Sequence, residues 1–201
     1  MKQINILVLY YSRNGATKKI AELIAEGVES VPSANAILRT VPNITSVTQT
    51  LEDTIPMSGP PYAEYEDLED CDGLAMGSPT RFGNMAAPMK YFLDGTINQW
   101  LAGALINKPA CVFTSAGSMH GGQESTLLSM MIPLLHHGML MCGLPYSNPE
   151  LSTSTSGGTP YGVSHLAGSD GQKPLTLDEK RLALAQGQRL ARIAIALKDV
   201  R

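Results

Sequence analysis

Cysteine is scarce in this sequence: its three cysteines, Cys71, Cys111 and Cys142, lie far apart and form no Cys-x-x-Cys spacing. This pattern excludes a disulfide framework and a thiolate metal site, so we expect reduced, inert thiols and no bound metal. Long apolar runs are lacking too, and the strongest near the start, residues 6–11, is too short for a membrane span or a signal-peptide core. We therefore expect a cytoplasmic protein that does not insert into membranes.

A strong charge of one sign and several familiar motifs are also missing. Charged residues make up 16% of the chain and the formal net charge is −3, without a basic stripe that could neutralise many backbone phosphates. Nucleic acid is therefore not an expected partner. Neither the dinucleotide fingerprint Gly-x-Gly-x-x-Gly nor the Walker sequence Gly-Lys-Ser/Thr occurs, and the Gly-x-Ser-x-Gly elbow of serine hydrolases is absent.

The sequence does contain an alternation of strand and helix patterns, which we assign to a single domain over residues 1–201. Residues 4 and 6–10 are apolar without a helical period, as in a strand buried on both faces of a parallel sheet. A last helix begins at the capping box formed by Thr176 and Glu179. The other predicted elements are strands at 36–41, 74–77, 110–114 and 140–144, and helices at 17–30, 84–96 and 123–137, with insertions at about 42–70 and 145–175. This alternation predicts an open, doubly wound α/β sheet.

In such a sheet, ligands bind beyond the carboxyl ends of the strands, where the strand order reverses. The loop after the first strand, residues 12–17, offers two hydroxyl side chains, a glycine and a run of amides at the start of a helix. A helix N-terminus carries roughly half a positive elementary charge, so this loop can bind an anion without a basic side chain. A turn that merely caps the helix is the alternative interpretation.

Two later loops share this small-residue character. The loop after the third strand, residues 77–85, combines glycine, a rigid proline, hydroxyls, an arginine and an aromatic residue. The loop after the fourth strand, residues 115–122, is again rich in glycine. Closely approaching main chain with little side-chain bulk suits a flat redox ring that needs amides near its carbonyl oxygens. The three loops are expected to converge on one crevice.

Five short strings of residues extend this pattern over nearly the whole chain. They are Tyr-Tyr-Ser at 10–12, Gly-Ser-Pro-Thr-Arg-Phe-Gly-Asn-Met at 77–85, Gly-Gly-Gln-Glu at 121–124, His-His-Gly-Met at 136–139 and Gly-Gly-Thr-Pro-Tyr-Gly at 157–162. Together they resemble the WrbA family of flavodoxin-like quinone reductases. The resemblance implies a five-stranded parallel sheet in the order 2-1-3-4-5 with helices on both faces, bound FMN, NADH or NADPH as electron donor, quinones as acceptors, and a homotetramer.

The resemblance also implies residue roles. The FMN phosphate would be held by Ser12, Arg13, Asn14, Gly15, Ala16 and Thr17; the flavin ring would be lined by Pro79, Thr80, Arg81, Phe82, Gly83 and Asn84 on one side and by Ser115, Ala116, Gly117, Ser118, Met119 and His120 on the other. Trp100 and Asn14 would contact substrates, although members of the family can carry an aromatic residue at position 14. His136 would reach the FMN site of a neighbouring subunit. The implied activity is that of an NAD(P)H dehydrogenase (quinone), a two-electron ping-pong reaction that protects against oxidative stress.

Two alternatives come from other functional classes. An electron-transfer flavodoxin normally has a strongly acidic docking face, and the modest net charge and two long insertions argue against one. A non-enzymatic regulatory binding module is the other. Two residues also have plain structural interpretations. A lone Trp100 commonly packs in a core, and His165, which has no partner nearby in sequence, is expected on the surface.

Overall fold

A parallel sheet forms the centre of the computed structural model, which describes residues 3–44 and 58–198. In chain order the strands are β1 Ile4–Tyr10, β2 Ala34–Thr40, β3 Gly73–Arg81, β4 Asn84–Met85, β5 Pro109–Ala116, β6 Leu140–Met141 and β7 Val163–Leu166. The helices are α1 Ala16–Glu29, α2 Tyr65–Asp70, α3 Ala87–Asp94, α4 Ile97–Leu101, α5 Gln123–His136, α6 Glu150–Thr153 and α7 Leu177–Leu197. None of the helices in the described ranges is long and apolar enough to cross a membrane.

The strand order confirms the predicted doubly wound sheet. Strands β2, β1, β3 and β5 lie side by side in parallel, and the fifth position is shared by two short strands. Strand β6 pairs with the beginning of β5, where Leu140 lies opposite Pro109, whereas β7 pairs with its end, where Val163 lies opposite Phe113. The first strand is flanked by β2 and β3, so the chain reverses its direction of winding there.

Two apolar layers cover the sheet, as the continuous apolar strands require. Alternate residues of β1 point to opposite faces, so Ile6 and Val8 pack with helices α1 and α7, while Leu7 and Leu9 pack with α2, α3 and α5. Burial on both faces explains why β1 lacks a polar alternation.

Helices α1 and α7 approach each other closely at two glycines. A Cβ on Gly27 would lie 2.3 Å from the Leu184 carbonyl oxygen, and one on Gly187 would lie 2.1 Å from the Ile24 carbonyl oxygen. Only glycine permits such backbone contact, so these two positions determine how α7 packs across the sheet. The predicted capping box is confirmed, because Thr176 Oγ1 accepts from the Glu179 amide and the Glu179 side chain accepts from the Thr176 amide.

The structure corrects three of the predictions about helices and strands. The helix expected from residue 84 begins at Ala87, because Asn84 and Met85 pair in antiparallel fashion with Arg81 and Thr80. The strand predicted at 140–144 ends at Met141. The stretch 145–175, expected to be irregular, contains α6 and β7. The other predicted insertion, residues 42–70, contains α2 at its end. Residues 45–57 of that insertion lie outside the described residues. All three cysteines are buried and none forms a disulfide, and burial raises the pKa of the Cys111 and Cys142 thiols.

Candidate functional site

The loop after β1 and the carboxyl ends of β3 and β5 meet around one cavity of about 370 Å³, here termed the loop cavity. Its lining comprises Ser12, Arg13, Asn14, Ala16, Thr17, Pro79, Thr80, Arg81, Ser115, Ala116, Gly117, Ala167, Gly168, Ser169 and Gly171. Eleven of these were predicted from the sequence, and they come from all three of the expected loops. The predicted convergence at the carboxyl ends of the strands is therefore observed.

The first loop presents backbone amides rather than a capping side chain. Gly15 stands at the N-cap of α1 with φ of 85°, and no side chain caps the helix through a hydrogen bond. An ideal Cβ on Gly15 would meet nothing within 4 Å, so the space beside these amides is open. The Thr17 and Ser115 hydroxyls share a buried 2.9 Å hydrogen bond, which joins the first loop to the third. The loop can accept an anion at the positive end of the helix dipole.

The second loop is held rigidly by buried hydroxyls. Ser78 Oγ accepts from the Ala86 amide at 2.8 Å, and the Thr114 hydroxyl donates to the Ser78 carbonyl at 2.8 Å. At its tip, Phe82 has φ of 52° and a fully exposed side chain. A non-glycine residue in this conformation is unfavourable by about 1–2 kcal/mol, and together with an exposed ring it is typical of a functional loop.

A wider cavity of about 1140 Å³, termed the side cavity, adjoins the loop cavity. The two share Ser12, Arg13 and Arg81 as lining residues. The other residues of the side cavity are Tyr11, Asn43, Ile44, Phe82, Asn84, Met85, Ala86, Ala87, Pro88, Lys90, Tyr91 and Asp94. A flat ligand anchored in the loop cavity can thus extend past these shared residues into a space open to a second molecule.

Trp100 and His136 lie together in a third cavity, of about 520 Å³, which shares Asn84, Met85, Lys90 and Asp94 with the side cavity. Trp100 Nε1 donates to the His136 carbonyl at 3.2 Å, and the two ring centroids are 5.7 Å apart. Trp100 is 42% exposed, so it is not the core residue that a lone tryptophan commonly is. Neither residue lines the loop cavity of its own chain.

The neighbouring His137 has a defined hydrogen-bonding role. The Thr96 hydroxyl donates to the Leu93 carbonyl at 2.7 Å, so it accepts from His137 Nε2 at 3.0 Å. Burial, and then the nearby His136, lower the pKa of His137. A neutral His137 therefore ties the end of α5 to the turn that precedes α4, the helix that carries Trp100.

Five predicted residues lie beside the cavities without lining them, and one of these is Gly15, described above. Gly83 has φ of 77° and packs close to Ser125. The end of the third loop, Ser118, Met119 and His120, is exposed and turns through a hydrogen bond from the Gly121 amide to the Ser118 carbonyl. We therefore see no contact of these three side chains with the loop cavity in this chain.

A fourth wall of the loop cavity was not predicted. Ala167, Gly168, Ser169 and Gly171, which follow β7, face the first loop across it. The glycine-rich sequence Ala-Gly-Ser-Asp-Gly after a short strand was the available signal. The expectation that His165 lies on the surface is wrong, since its side chain is fully buried against Glu179.

A doubly wound sheet whose small-residue loops enclose one crevice at the carboxyl ends of its strands defines a flavodoxin-like protein. Residues 4–148 match the family described as NADPH-dependent FMN reductase. The NAD(P)H dehydrogenase (quinone) of Solidesulfovibrio magneticus is 41% identical over 202 residues, covering 97% of this chain and 100% of that protein. The chain therefore belongs to the NADPH-dependent FMN reductase family and is a relative of the NAD(P)H dehydrogenases (quinone).

Further comparisons agree. The NAD(P)H dehydrogenase (quinone) of Geotalea daltonii is 41% identical over 201 residues, covering 96% of this chain and 98% of that protein. The fold of a flavodoxin, WrbA-like protein from Agrobacterium tumefaciens superimposes with a TM-score of 0.66 at 23% identity, over 96% of this chain and 99% of that one.

Proposed function

We propose that this protein is an FMN-dependent NAD(P)H:quinone oxidoreductase. The observation that carries the proposal is the convergence of three small-residue loops on the loop cavity, which opens directly into the side cavity. The names of the two relatives at 41% identity support the same chemistry. A redox ring held between the two cavities would be anchored in the loop cavity and would be accessible to substrates from the side cavity.

The residues present fit FMN. The loop cavity falls within the range of about 300–1,000 Å³ common for ligand sites, and the open space at Gly15 leaves room for a phosphate. Residues 12–17 would hold that phosphate, and residues 79–84 and 115–120 would line the ring. Thr80 is positioned for this by hydrogen bonds to Thr126 and the Gly122 carbonyl. When bound, FMN supplies the capacity to accept a hydride and to pass two electrons on.

The chain's own residues would select and orient the substrates. The side cavity presents the aromatic rings of Phe82 and Tyr91 for stacking, and Arg13 and Arg81 for the phosphates of a nicotinamide nucleotide. One accessible face suits NADH or NADPH first and a quinone afterwards, so we assign a ping-pong sequence. This two-electron route would protect against oxidative stress. The three buried cysteines form no disulfide, which fits the reducing cytoplasm as its location.

A homotetramer is part of the proposal. Five apolar side chains on the surface formed by α3, α4 and α5 are each more than half exposed: Tyr91, Ile97, Leu101, Ile132 and Leu135. Such a surface favours association with another copy of the chain. It adjoins Trp100 and His136, so a second subunit there would lie next to the substrate space.

Cofactor content and turnover test this function. The purified protein, reconstituted with FMN, should contain one FMN per chain that heat releases, and should oxidise NADH or NADPH rapidly only when benzoquinone is present. Recovery of FAD, or failure to bind FMN, would refute the cofactor. A tightly bound FMN with electron transfer to a protein partner but none to benzoquinone would favour the electron-carrier alternative.

A further inference from the structure

A fully buried ion pair joins β7 to the start of α7, outside the three loops discussed above. His165 Nδ1 lies 2.9 Å from Glu179 Oε2, and both side chains are 0% exposed. His165 Nε2 lies 3.0 Å from the Lys173 carbonyl oxygen. A carbonyl oxygen can only accept a hydrogen bond, so His165 Nε2 donates to Lys173 and Nδ1 faces the Glu179 carboxylate.

Glu179 accepts hydrogen bonds from several other donors. Oε1 accepts from the Ser156 hydroxyl at 2.7 Å, the Gly157 amide at 2.9 Å and the Leu166 amide at 3.1 Å. Oε2 also accepts from the Thr176 amide at 2.8 Å. Burial raises the pKa of Glu179, but the hydrogen bonds, led by that from His165, outweigh it and lower the pKa to about 2. The carboxylate is therefore ionised and fully satisfied, as a buried charge must be.

The pair holds both ends of the loop that forms the fourth wall of the loop cavity. Glu179 binds the Leu166 amide just before this loop, and His165 binds the Lys173 carbonyl just after it. The Lys173 amide closes the loop on the Ala167 carbonyl at 2.9 Å. Residues 167–171 are thereby clamped between two contacts to the same buried pair.

The clamped loop lies directly against the first loop. A Cβ on Gly171 would come within 3.1 Å of the Asn14 side-chain nitrogen, so there is little slack between the two walls. Ala167, through its amide, also donates to the Ala116 carbonyl at 2.8 Å. A shift of the loop after β7 would therefore change the width of the cavity at its anion-binding end.

We infer that His165 and Glu179 are positioning residues for FMN, which hold residues 167–171 as the wall that closes the phosphate end of its site. This inference rests on the proposed function. Neither side chain would touch the cofactor, since both are completely buried behind the wall. The Gly-Gly-Thr-Pro-Tyr-Gly segment at 157–162 serves the same arrangement, because its first amide donates to Glu179 and a Cβ on Gly157 would lie 2.7 Å from Glu179 Oε1.

Gln186 offers a matched control on the same helix. It is also buried, accepts from the Val163 amide at 2.8 Å and donates to the Val112 carbonyl at 3.1 Å. These contacts hold the opposite end of β7 and not the loop. Its replacement by methionine should therefore destabilise the fold without moving the cavity wall.

The experiment compares wild type, Glu179→Gln, His165→Gln and Gln186→Met. FMN affinity is measured by quenching of FMN fluorescence, stability by thermal unfolding, and backbone order at 167–173 by hydrogen exchange of the FMN-free proteins. Glu179→Gln and His165→Gln should raise the Kd for FMN roughly tenfold or more, since displacements of about 1 Å can cost a hundredfold in a positioned site. They should also speed exchange at 167–173. Gln186→Met should keep the Kd within about twofold at a comparable loss of stability.

Several outcomes would overturn the inference. The inference is wrong if Glu179→Gln or His165→Gln keeps wild-type FMN affinity and wild-type exchange at 167–173. It is also wrong if Gln186→Met loses as much FMN affinity as they do. If Glu179→Gln fails to fold, His165→Gln, which keeps a neutral donor for Glu179, decides the matter. Wild type that binds no FMN would refute the proposed function instead, and hydrogen exchange of the FMN-free loop would still judge the role of the pair.

Discussion

Gly15→Val should separate the cost of backbone strain from the cost of a blocked anion site. Gly15 has φ of 85°, a conformation that valine adopts only under strain. An ideal Cβ there meets nothing within 4 Å, so the first added carbon does not clash with the protein. The valine methyl groups would occupy the space beside the first amides of α1, where the phosphate is proposed to bind.

The expected magnitudes follow from this geometry. Strain in the left-handed region costs about 1–2 kcal/mol, which corresponds to a fall in Tm of roughly 2–8 °C for a chain of this size. Loss of one charge-assisted hydrogen bond to the phosphate costs about 1.5–3 kcal/mol, or roughly a 10- to 150-fold increase in the Kd for FMN.

Gly59→Val is the matched control. Gly59 has φ of 102° and likewise meets nothing within 4 Å, but it lies outside the cavities. Fluorescence titration with FMN and thermal unfolding should show a similar fall in Tm for both variants and weakened FMN binding only for Gly15→Val. Wild-type FMN affinity in Gly15→Val, or equal weakening in Gly59→Val, would refute the anion site at α1.

Three further predictions concern kinetics, acid stability and assembly. Double-reciprocal plots of NADH oxidation at several benzoquinone concentrations should be parallel, because one face of the flavin would serve both substrates in turn. Intersecting lines would mean a ternary complex. The pKa of Glu179 lies near 2 in the folded protein against an ordinary 4.5, so its stabilisation is complete above pH 4.5 and is lost as the pH falls towards 2. Between pH 4.5 and pH 2, the free energy of unfolding measured with urea should therefore fall by about 3 kcal/mol more for wild type than for Glu179→Gln. An equal fall in both proteins would contradict the lowered pKa of Glu179. Sedimentation of a dilution series should show a tetramer whose dissociation lowers specific activity, whereas a fully active monomer would exclude a shared site.

The sheet and the three loops were predictable because local sequence and fold agree there. Strand β1 is apolar except at Asn5, since both its faces are buried, and apolar residues recur at helical spacing along α1. The loop cavity then follows from topology, because parallel strands bring their carboxyl ends to one edge.

The fourth wall was not predictable by the same means. Strand β7 has only four residues, and two of them, Ser164 and His165, are polar although buried. In the sequence such residues look like surface residues. Their burial depends on Glu179 and the Gly158 amide, partners that only the folded chain brings together. Similarly, α3 begins at Ala87 and not at the predicted residue 84, because the antiparallel pairing of residues 84 and 85 with β3 competes with helix formation.

Anaerobic half-reactions of the FMN-loaded protein test quinone-reductase chemistry most directly. Stoichiometric NADH or NADPH should bleach the blue-light absorption band of the bound flavin. Stoichiometric benzoquinone, added after the oxidised nucleotide has left, should then restore the band and yield hydroquinone. A flavin that neither nucleotide reduces, or a reduced flavin that benzoquinone leaves bleached, would contradict the account.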